Sequence, residues 1–350
     1  MSMRQLTFAG PGRVAWREVP EARVEGPLEA VVEPLVIGRC DLDVGYVRGF
    51  VPLKPGEPIG HEAIGRVVDV GSEVRRVRPD DDVVVPSQIS CGWCRNCRRG
   101  FTGRCQSVPM GASYGMGREG GFGCSAADRV RVPFADAMLF PLPAGAAPRD
   151  WIGFADMALD AWRAVGAPML ARPGARVLVI GGWPSVIGIY AAGLAAALGG
   201  EAADYWDDDD ERLAEAVRFG ARAIARGRAE PDGLYEIVVD CRVDPRAVAE
   251  AIRFVEPEGV ITSVTYHAGD TPAPLLEAYR KGVTWHIGRP NVRAQMDALC
   301  PLCTKGIFHP EHLSTTFVAY QDAPEAWVGG QLRVAAVLED VTIPKVEEQR

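Results

Sequence analysis

The sequence has no excess of basic residues: its 38 Lys and Arg are outnumbered by 46 Asp and Glu, which gives a net charge of −8 at pH 7. A protein that neutralises nucleic-acid phosphates needs the opposite balance, so we expect no nucleic-acid partner. The chain does not open with the basic segment and apolar run of a secretory signal, and we therefore expect a cytoplasmic protein. Residues 177–200 carry no charge, but a Gly-Gly-Trp-Pro-Ser turn at 181–185 divides them into pieces of strand and helix length. No membrane association is expected.

Two kinds of pattern follow one another along the 350 residues. Short apolar runs separated by Gly, Pro and charged turns fill the first part, as is typical of a β-rich barrel or sandwich. From residue 177 the pattern becomes strand, glycine turn, helix, strand, which predicts a doubly wound parallel sheet of the Rossmann type. This alternation stops after about residue 296. We predict an α/β protein with a β-rich, barrel-like catalytic domain (residues 1–157 and 296–350) and a Rossmann dinucleotide-binding domain (residues 158–295).

Individual elements follow from the same patterns. The first part is predicted to open with a β-hairpin over residues 3–19 and to continue with strands at 30–37, 63–70 and 83–86. Four prolines between 133 and 148 predict an extended boundary stretch. The second part is predicted to have strands at 175–180, 202–206, 236–240 and 259–264, with helices at 186–198, 211–219 and 247–254.

The densest chemical signal is a group of four cysteines spaced C-x2-C-x2-C-x7-C: Cys91, Cys94, Cys97 and Cys105. Zinc prefers four thiolates in a tetrahedron, and a C-x2-C pair lets one tight turn present two sulfurs to one ion. A disulfide pair or chance clustering is the alternative, but the specificity of the four-cysteine pattern favours zinc. Because a closed four-thiolate site has no open position for a substrate, the pattern predicts a structural zinc.

A second metal candidate combines Cys40 with His61. Cys40 follows a strand-like run, and His61 follows a Pro-Ile-Gly turn that could place its imidazole at the end of a strand. A thiolate and an imidazole both suit zinc, and a catalytic zinc needs three protein ligands and one open position. From these residues alone, a core cysteine and a hydrogen-bonded histidine fit equally well.

A glycine-rich turn at residues 181–188 follows a predicted strand and opens a predicted helix. Its glycines are Gly181, Gly182 and Gly188. A dinucleotide fold uses such glycines for a tight turn and for close helix–strand packing, with the pyrophosphate at the helix N-terminus. The usual G-x-G-x-x-G spacing is broken, because Trp183 takes the middle position and two residues are inserted.

An acidic run follows the next predicted strand. Its first residue, Asp207, comes about 20 residues after Gly188, as expected for a carboxylate that binds the cofactor ribose. The run Asp207–Asp210 would repel a 2′-phosphate, so we expect NAD in preference to NADP. Part of the same run is also what a solvated turn and a helix N-terminus look like.

In their order along the chain, Cys40, Gly60-His61-Glu62, the four-cysteine cluster and the glycine-rich turn resemble the zinc-dependent medium-chain alcohol dehydrogenases. The similarity covers nearly the whole chain. It implies a chaperonin-ten-like fold for the first domain and a catalytic zinc held by Cys40, His61 and Asp156. The third of these ligands opens the helix that leads into the nucleotide-binding domain.

The resemblance also assigns roles around that zinc. Glu62 is expected near the metal, and Asp43 is expected to orient the imidazole ligand. The run 259–267 is similar to the corresponding part of bacterial secondary alcohol dehydrogenases, and Tyr266 within it is an expected cofactor-binding residue.

The implied reaction is hydride transfer between a small-molecule alcohol or carbonyl and NAD, with an open-coordinated zinc acting as a Lewis acid. An NAD(P)-dependent alcohol dehydrogenase that forms a homodimer or homotetramer is the expectation. Two alternatives are a family member that reduces an activated carbonyl or double bond, and a non-catalytic dinucleotide-binding protein.

Three residues depart from the family pattern. Leu42 stands where a Ser or Thr commonly passes the alcohol proton toward solvent, and Gly45 stands where a relay histidine is often found. Asp160 replaces a Thr expected near the nicotinamide. An acidic group there could relay protons, bind a polar substrate or only cap a helix, so the proton path is open at this point.

Overall fold

A computed structural model describes residues 1–116, 121–244, 246–265, 267 and 269–338. The strands are β1 (Ser2–Gly10), β2 (Arg13–Pro20), β3 (Ala30–Gly38), β4 (Glu62–Val70), β5 (Asp82–Val85), β6 (Val130–Val132), β7 (Phe140–Pro141), β8 (Val177–Ile180), β9 (Ala203–Asp207), β10 (Arg222–Ala225), β11 (Tyr235–Asp240), β12 (Val255–Ser263), β13 (Thr284–Ile287), β14 (Thr316–Ala319) and β15 (Val334–Val337). The helices are α1 (Asp41–Arg48), α2 (Arg95–Arg98), α3 (Ala135–Met138), α4 (Met157–Ala161), α5 (Ala167–Ala171), α6 (Ser185–Ala197), α7 (Asp210–Arg218), α8 (Ala247–Phe254), α9 (Leu275–Lys281), α10 (Val292–Thr304) and α11 (Ala323–Trp327).

A β-rich sheet carries one side of the molecule. Its strand order is β14-β15-β3-β4-β5-β7, with β6 paired to β3, and all of its pairs except β14–β15 run antiparallel. Successive side chains of β5 enter different hydrophobic clusters: Val83 and Val85 pack on one face of the sheet and Val84 on the other. The sheet is therefore covered on both faces, which explains why its strands contain runs of apolar residues.

A six-stranded parallel sheet forms the other side, in the order β10-β9-β8-β11-β12-β13. This is the doubly wound order in which the first strand of the unit, here β8, lies in the middle. Val179 of β8 pairs with Tyr205 on one side and with Val239 on the other. The uncharged helix α6 is buried along most of its length, so its apolar composition reflects the core. Among the described residues, no helix has the length and apolarity needed to cross a membrane.

One helical segment connects the two sheets. α4 and α5 are joined by a π-helical turn at Trp162–Gly166, a feature that adds one residue to a helix. A Cβ at Gly166 would come within 2.1 Å of Trp162 Cε3, so the ring packs directly on the glycine backbone. Asp156 is at the N-cap position of the segment and Asp160 lies within its first turn, and both line the space between the sheets.

The predicted fold class is confirmed by these two sheets. The helix predicted at residues 247–254 has those bounds as α8, and the predicted hairpin forms as β1 and β2. The stretch from 133 to 148 differs from the extended segment that was predicted, because it contains α3 and the short strand β7. Ala135 and Met138 of α3 are buried in the core, and this packing outweighs the preference of the flanking prolines for extended backbone. The last two strands, β14 and β15, join the first sheet.

Arg39 ties the C-terminal region to the first sheet. Its buried guanidinium donates through Nη1 to the carbonyl oxygens of Ala326, Trp327 and Gly329 at 2.9–3.2 Å, and through Nη2 to that of Gln331. The first two carbonyls belong to the end of α11, where backbone acceptors have no partner within the helix. One side chain therefore satisfies four acceptors on a segment almost 300 residues away.

We expect Arg39→Met to lower the free energy of unfolding by about 3 kcal/mol, because several carbonyls lose their charged donor at once. The matched control is Arg66→Met, which removes an exposed pair with Asp82 and should cost less than about 1 kcal/mol. Denaturant unfolding of the metal-loaded proteins, followed by circular dichroism, measures both. Equal losses in the two variants would contradict the role given to Arg39.

Candidate active site and metal centres

Three side chains of metal-ligand type meet between the two sheets: Cys40, His61 and Asp156. Cys40 precedes α1, His61 precedes β4 and Asp156 precedes α4, so each sits where a regular element begins. Cys40 Sγ and His61 Nε2 both lie 3.7 Å from Asp156 Oδ2. The three ligand atoms lie within 4.8 Å of one another, and all three residues are buried. The fold thus brings together the three ligands implied by the family resemblance.

Neighbouring side chains fix the orientation of these ligands. Asp43 accepts a hydrogen bond from the Cys40 backbone N–H at 3.0 Å, and its other oxygen lies 3.5 Å from His61 Nδ1. Ser87 Oγ donates to Asp156 Oδ1 at 2.6 Å, which leaves Oδ2 facing the cysteine and the histidine. The buried Nε2 of His61 has no hydrogen-bond partner among the described residues. An orphaned buried nitrogen is costly, and a zinc ion with one thiolate, one imidazole and one carboxylate would satisfy it.

The electrostatics of this pocket favour a cation. Burial raises the pKa of the Cys40 thiol well above its ordinary value, and the nearby carboxylates raise it further. Burial by itself lowers the pKa of His61, but the surrounding carboxylates, led by Asp43, outweigh it and raise the pKa to about 9. A divalent cation bound here would stabilise the ionised thiolate and carboxylates, because it would supply positive charge next to them.

Glu62 lies beside the ligands and has a cationic partner of its own. Its carboxylate is 2.6 Å from Arg333 Nη1, and both side chains are completely buried. Burial raises the pKa of Glu62 to about 7, although Arg333 opposes the shift. A Cβ at Gly38 would come within 2.4 Å of Glu62 Oε2, so the pair fills the space beside β3. The structure thus places Glu62 next to His61 and holds it with Arg333.

The four cysteines of the knuckle (residues 91–105) form a second cluster. Their sulfur atoms lie within 4.8 Å of one another, and none is in a disulfide. Backbone N–H groups point at the sulfurs: Cys94 donates to Cys91 Sγ at 3.3 Å, and Cys97 donates to Cys94 Sγ at 3.4 Å. Such bonds stabilise thiolates. The arrangement fits a closed four-thiolate zinc site and lies outside the cavity between the sheets.

The knuckle also contacts the segment 289–292 that connects β13 to α10. Gly103 donates its N–H to Asn291 Oδ1 at 3.0 Å, and Arg104 Nη1 lies 3.4 Å from the Pro290 carbonyl oxygen. Gln88 donates to the same carbonyl at 2.9 Å and accepts from the Val292 N–H at 3.2 Å. The metal cluster therefore braces the chain where it leaves the parallel sheet.

A cavity of about 570 Å³ opens from the three ligands toward the glycine-rich turn. Helices and turns from both sides of the space between the sheets line it, with side chains that include Leu42, Asp160, Trp183, Ile187, Val264 and His267. Its position at the carboxyl ends of β8 and β12 is where doubly wound sheets bind ligands. His267, which sequence reasoning gave no role, lies 3.3 Å from Asp240 through Nε2, and this hydrogen bond raises the pKa of His267.

The glycine-rich turn has the close packing that its glycines predict. A Cβ at Gly181 would come within 2.3 Å of Asp207 Oδ2, and a Cβ at Gly188 within 3.2 Å of Cys241 Sγ. The structure therefore brings Asp207 against the turn. Tyr266, the remaining predicted cofactor residue, lies outside the described residues.

Asp207 already has partners of its own. Its fully buried carboxylate pairs with Arg212 at 2.6 Å and accepts the Tyr205 hydroxyl at 2.8 Å. Burial acts to raise the pKa of Asp207, but the hydrogen bonds and charge of Arg212 prevail and lower it. The charge of Asp207 is therefore largely compensated within the protein.

The structure shows what surrounds each of the three residues that depart from the family pattern. A Cβ at Gly45 would come within 2.6 Å of Val51 and 2.8 Å of Trp183, so no larger side chain fits there. Leu42 lines the cavity and is partly buried against both cores. Asp160 pairs with Arg163 at 2.6 Å inside α4 and borders the cavity, whereas the cap position of that helix belongs to Asp156.

Sequence reasoning missed Asp41. Its carboxylate reaches helix α6 and accepts hydrogen bonds from the backbone N–H groups of Val186 and Ile187 at 2.9 and 3.2 Å. The Trp183 indole N–H donates to the Asp41 carbonyl at 3.0 Å. Nothing in the local sequence could have indicated a contact between residues 145 positions apart.

A third group with ligand-type atoms, His309, Glu311 and His312, lies at the surface. Both ring nitrogens of His309 already have partners, Glu311 at 2.8 Å and the Gly306 carbonyl at 3.0 Å. The two imidazole rings stack with their centroids 4.5 Å apart, and the group is partly or fully exposed to solvent. We assign no metal to this group.

Comparison with known proteins gives a consistent picture. The family profile described as "Alcohol dehydrogenase GroES-like domain" matches residues 26–144. A probable zinc-binding alcohol dehydrogenase of Mycobacterium tuberculosis is 27% identical over 95% of this chain and 86% of its own length. An NADP-dependent isopropanol dehydrogenase of Thermoanaerobacter brockii is 29% identical over 79% of this chain and 80% of its own length. The structure of an alcohol dehydrogenase from Thermus sp. ATN1 superimposes with a TM-score of 0.87 and 31% identity, over 96% of this chain and 100% of that one.

Metal analysis of the purified protein tests the two clusters separately. We expect two zinc ions per chain, and we expect Asp156→Ala to retain one, because two ligands do not hold zinc firmly. Cys97→Ser should lose the other ion and lower the unfolding midpoint, since structural zinc contributes directly to folding. Cys124→Ser, a change at a buried cysteine outside both clusters, is the control and should keep both ions. Two zinc ions in Asp156→Ala would contradict the proposed ligand set.

Proposed function

This chain belongs to the zinc-dependent medium-chain dehydrogenase/reductase family and is a zinc-dependent oxidoreductase, and we propose that it transfers hydride between an alcohol or carbonyl substrate and NAD. The observation that carries the proposal is the convergence of Cys40, His61 and Asp156 in a cavity that extends to the glycine-rich turn. A substrate in that cavity would have the metal on one side and the Rossmann sheet on the other. The proposed substrate class is small-molecule alcohols and carbonyls.

The residues of the site would have separate roles in binding the two metals and the cofactor. Cys40, His61 and Asp156 would hold the catalytic zinc, which supplies a Lewis acid when bound. Asp43 keeps the His61 ring oriented and Ser87 keeps one oxygen of Asp156 turned away from the ligand position. The four cysteines of the knuckle would hold a structural zinc. NAD, when bound, supplies the hydride acceptor, with Gly181, Gly182, Gly188, Asp207 and Tyr266 as its proposed contacts.

Proton movement would use Asp160. Burial raises the pKa of Asp160, while its ion pair with Arg163 opposes the shift. The carboxylate borders the cavity, and the apolar Leu42 and the closed space at Gly45 leave no side-chain hydroxyl or imidazole at those two positions.

Leu42 and Gly45 also favour a second candidate function, the reduction of an activated carbonyl or double bond. In that reaction no alcohol proton has to be passed to solvent, so the missing hydroxyl and imidazole matter less. The Glu62 carboxylate, which pairs with Arg333, would stabilise the positive charge of the metal.

The domain division at 157/158 and 295/296 is part of the proposal. It is supported by the position of α4 between the sheets and by the return of β14 and β15 to the first sheet. We also infer a reducing, cytoplasmic setting, because the four thiols of the knuckle must stay reduced to bind zinc.

We infer that the chain forms a homodimer or homotetramer through the outer edge of the parallel sheet. β13 is the edge strand and pairs only with β12 among the described strands. Large apolar side chains are exposed around it: Leu275, Leu276, Tyr279 and Ile287 are 63–84% accessible. An open edge with exposed apolar neighbours is a natural site for pairing with a second copy.

Cofactor preference tests the assignment of Asp207. We expect NAD to exceed NADP in kcat/KM by about tenfold or more, because the four carboxylates of the run Asp207–Asp210 stay net negative even with Arg212 paired to three of them, and this charge repels a 2′-phosphate. Asp207→Ala should reduce this ratio, whereas Asp232→Ala, at an exposed position, should not. The assay follows absorbance of the reduced cofactor over a panel of alcohols and carbonyls. A preference for NADP in the unmodified protein would contradict the assignment.

The oligomer is tested by light scattering after size exclusion. Tyr279→Glu should shift the mass to that of a smaller species, because the charge would be buried in the interface without a partner. Leu170→Glu, at another exposed apolar residue, should leave the mass unchanged. A monomeric unmodified protein would contradict the inference.

A further inference from the structure

The N-terminus of α6 already holds an anion that comes from the first domain. The Asp41 carboxylate, 4% exposed, accepts the N–H groups of Val186 and Ile187 in the first turn of this 13-residue helix. In a dinucleotide-binding fold, the first-turn N–H groups after the glycine-rich turn bind the cofactor pyrophosphate. The carboxylate therefore occupies hydrogen-bond donors that the cofactor would need.

The contact extends beyond the carboxylate. The Trp183 indole donates to the Asp41 carbonyl, packs edge-to-face on Phe50 with ring centroids 4.6 Å apart, and lies against the backbone of Gly45. Helix α1 and the residues after it thus hold the glycine-rich turn from the side of the first domain. We call this set of contacts the α1 clasp: Asp41, Gly45 and Phe50 against Trp183 and the first turn of α6.

A pyrophosphate and the Asp41 carboxylate cannot share the same donors. Both are anions, and at hydrogen-bond distance from one helix end they would lie close together in a region with little water to screen them. The helix terminus favours one anion through its dipole and its free N–H groups, and gains nothing from a second. One of the two must leave.

We propose that Asp41 is a specificity-determining residue that holds the place of the cofactor diphosphate, so that a dinucleotide binds only by displacing this carboxylate from α6. The inference rests on the proposed function, because it concerns the same cofactor site. Displacement costs the free energy of the clasp, so cofactor affinity is low compared with that of the same fold without the carboxylate.

The test compares cofactor affinity with and without the charge. Asp41→Asn keeps the size and polarity of the side chain, and Asp41→Ser keeps a smaller polar side chain, while both remove the anion. Calorimetric titration of the zinc-loaded proteins with NADH is expected to give a Kd at least about tenfold lower for both variants than for the unmodified protein. Without cofactor, the unfolding midpoint of Asp41→Asn should fall by a few degrees, because the charge–dipole interaction at α6 is lost.

The matched control is Asp136→Asn. Asp136 also accepts two consecutive backbone N–H groups, those of Arg75 and Arg76 at 2.9 and 2.8 Å, but within the first domain. Its loss should leave the Kd for NADH unchanged. Zinc content is measured for every variant, so that a change in affinity is compared at equal metal loading.

Three outcomes are informative. Tighter NADH binding in both Asp41 variants, with no change in Asp136→Asn, supports the proposal. Equal Kd values in the Asp41 variants and the unmodified protein overturn it and leave the proposed oxidoreductase function intact. Failure of the unmodified protein and all variants to bind either NADH or NADPH overturns both.

Discussion

Buried negative charge between the two sheets is the constraint on which the rest of the structure depends. A thiol and several carboxylates are withdrawn from water around Cys40, His61 and Asp156. Two buried cations lie nearby, but Arg333 pairs with Glu62 and Arg39 donates to backbone carbonyls at the end of α11. Such an arrangement is costly unless a cation completes it. The neighbouring side chains are arranged accordingly: Asp43 and Ser87 orient ligands, and Glu62 is paired with Arg333. The ligands come from three separate elements, so the sheets must be correctly placed before the charges can be balanced.

Features that depend on neighbouring residues could be predicted from the sequence. The knuckle forms because the spacing of Cys91 to Cys105 brings four sulfurs together within one loop, and spacing is visible in a sequence. The parallel sheet could be predicted because strands and helices alternate, and the helix at 247–254 was located to the residue. Packing of the glycine-rich turn also followed from its glycines. The assembly of Cys40, His61 and Asp156 could be expected only from resemblance to a family, since these residues are far apart in the chain.

Features that depend on contacts formed only in the folded chain could not be predicted. The acidic run at 207–210 was expected to follow a strand, and Asp207 is the last residue of β9. Its partners Tyr205 and Arg212 are close in sequence, but they meet its carboxylate only because β9 and α7 fold together. The sequence around Asp41 indicates no role for this residue, because its hydrogen-bond partners lie far away in α6. The prolines between 133 and 148 indicated extended chain, whereas burial of Met138 produced a helical turn. In each case packing in the folded chain selected among locally acceptable structures.

The contact between the knuckle and the segment 289–292 bears on how this architecture could be shortened. A loop of fifteen residues with its own proposed zinc site looks like a separate module that could be deleted without harm to the rest. Gly103 and Arg104, however, donate to Asn291 and Pro290. Deletion would remove these donors to the Asn291 side chain, and the Pro290 carbonyl would keep only its hydrogen bond from Gln88. Each such loss costs about 1–3 kcal/mol where the group stays buried. A chain shortened by the knuckle would therefore need a rebuilt segment after β13 as well, so a change in one of these regions requires a change in the other.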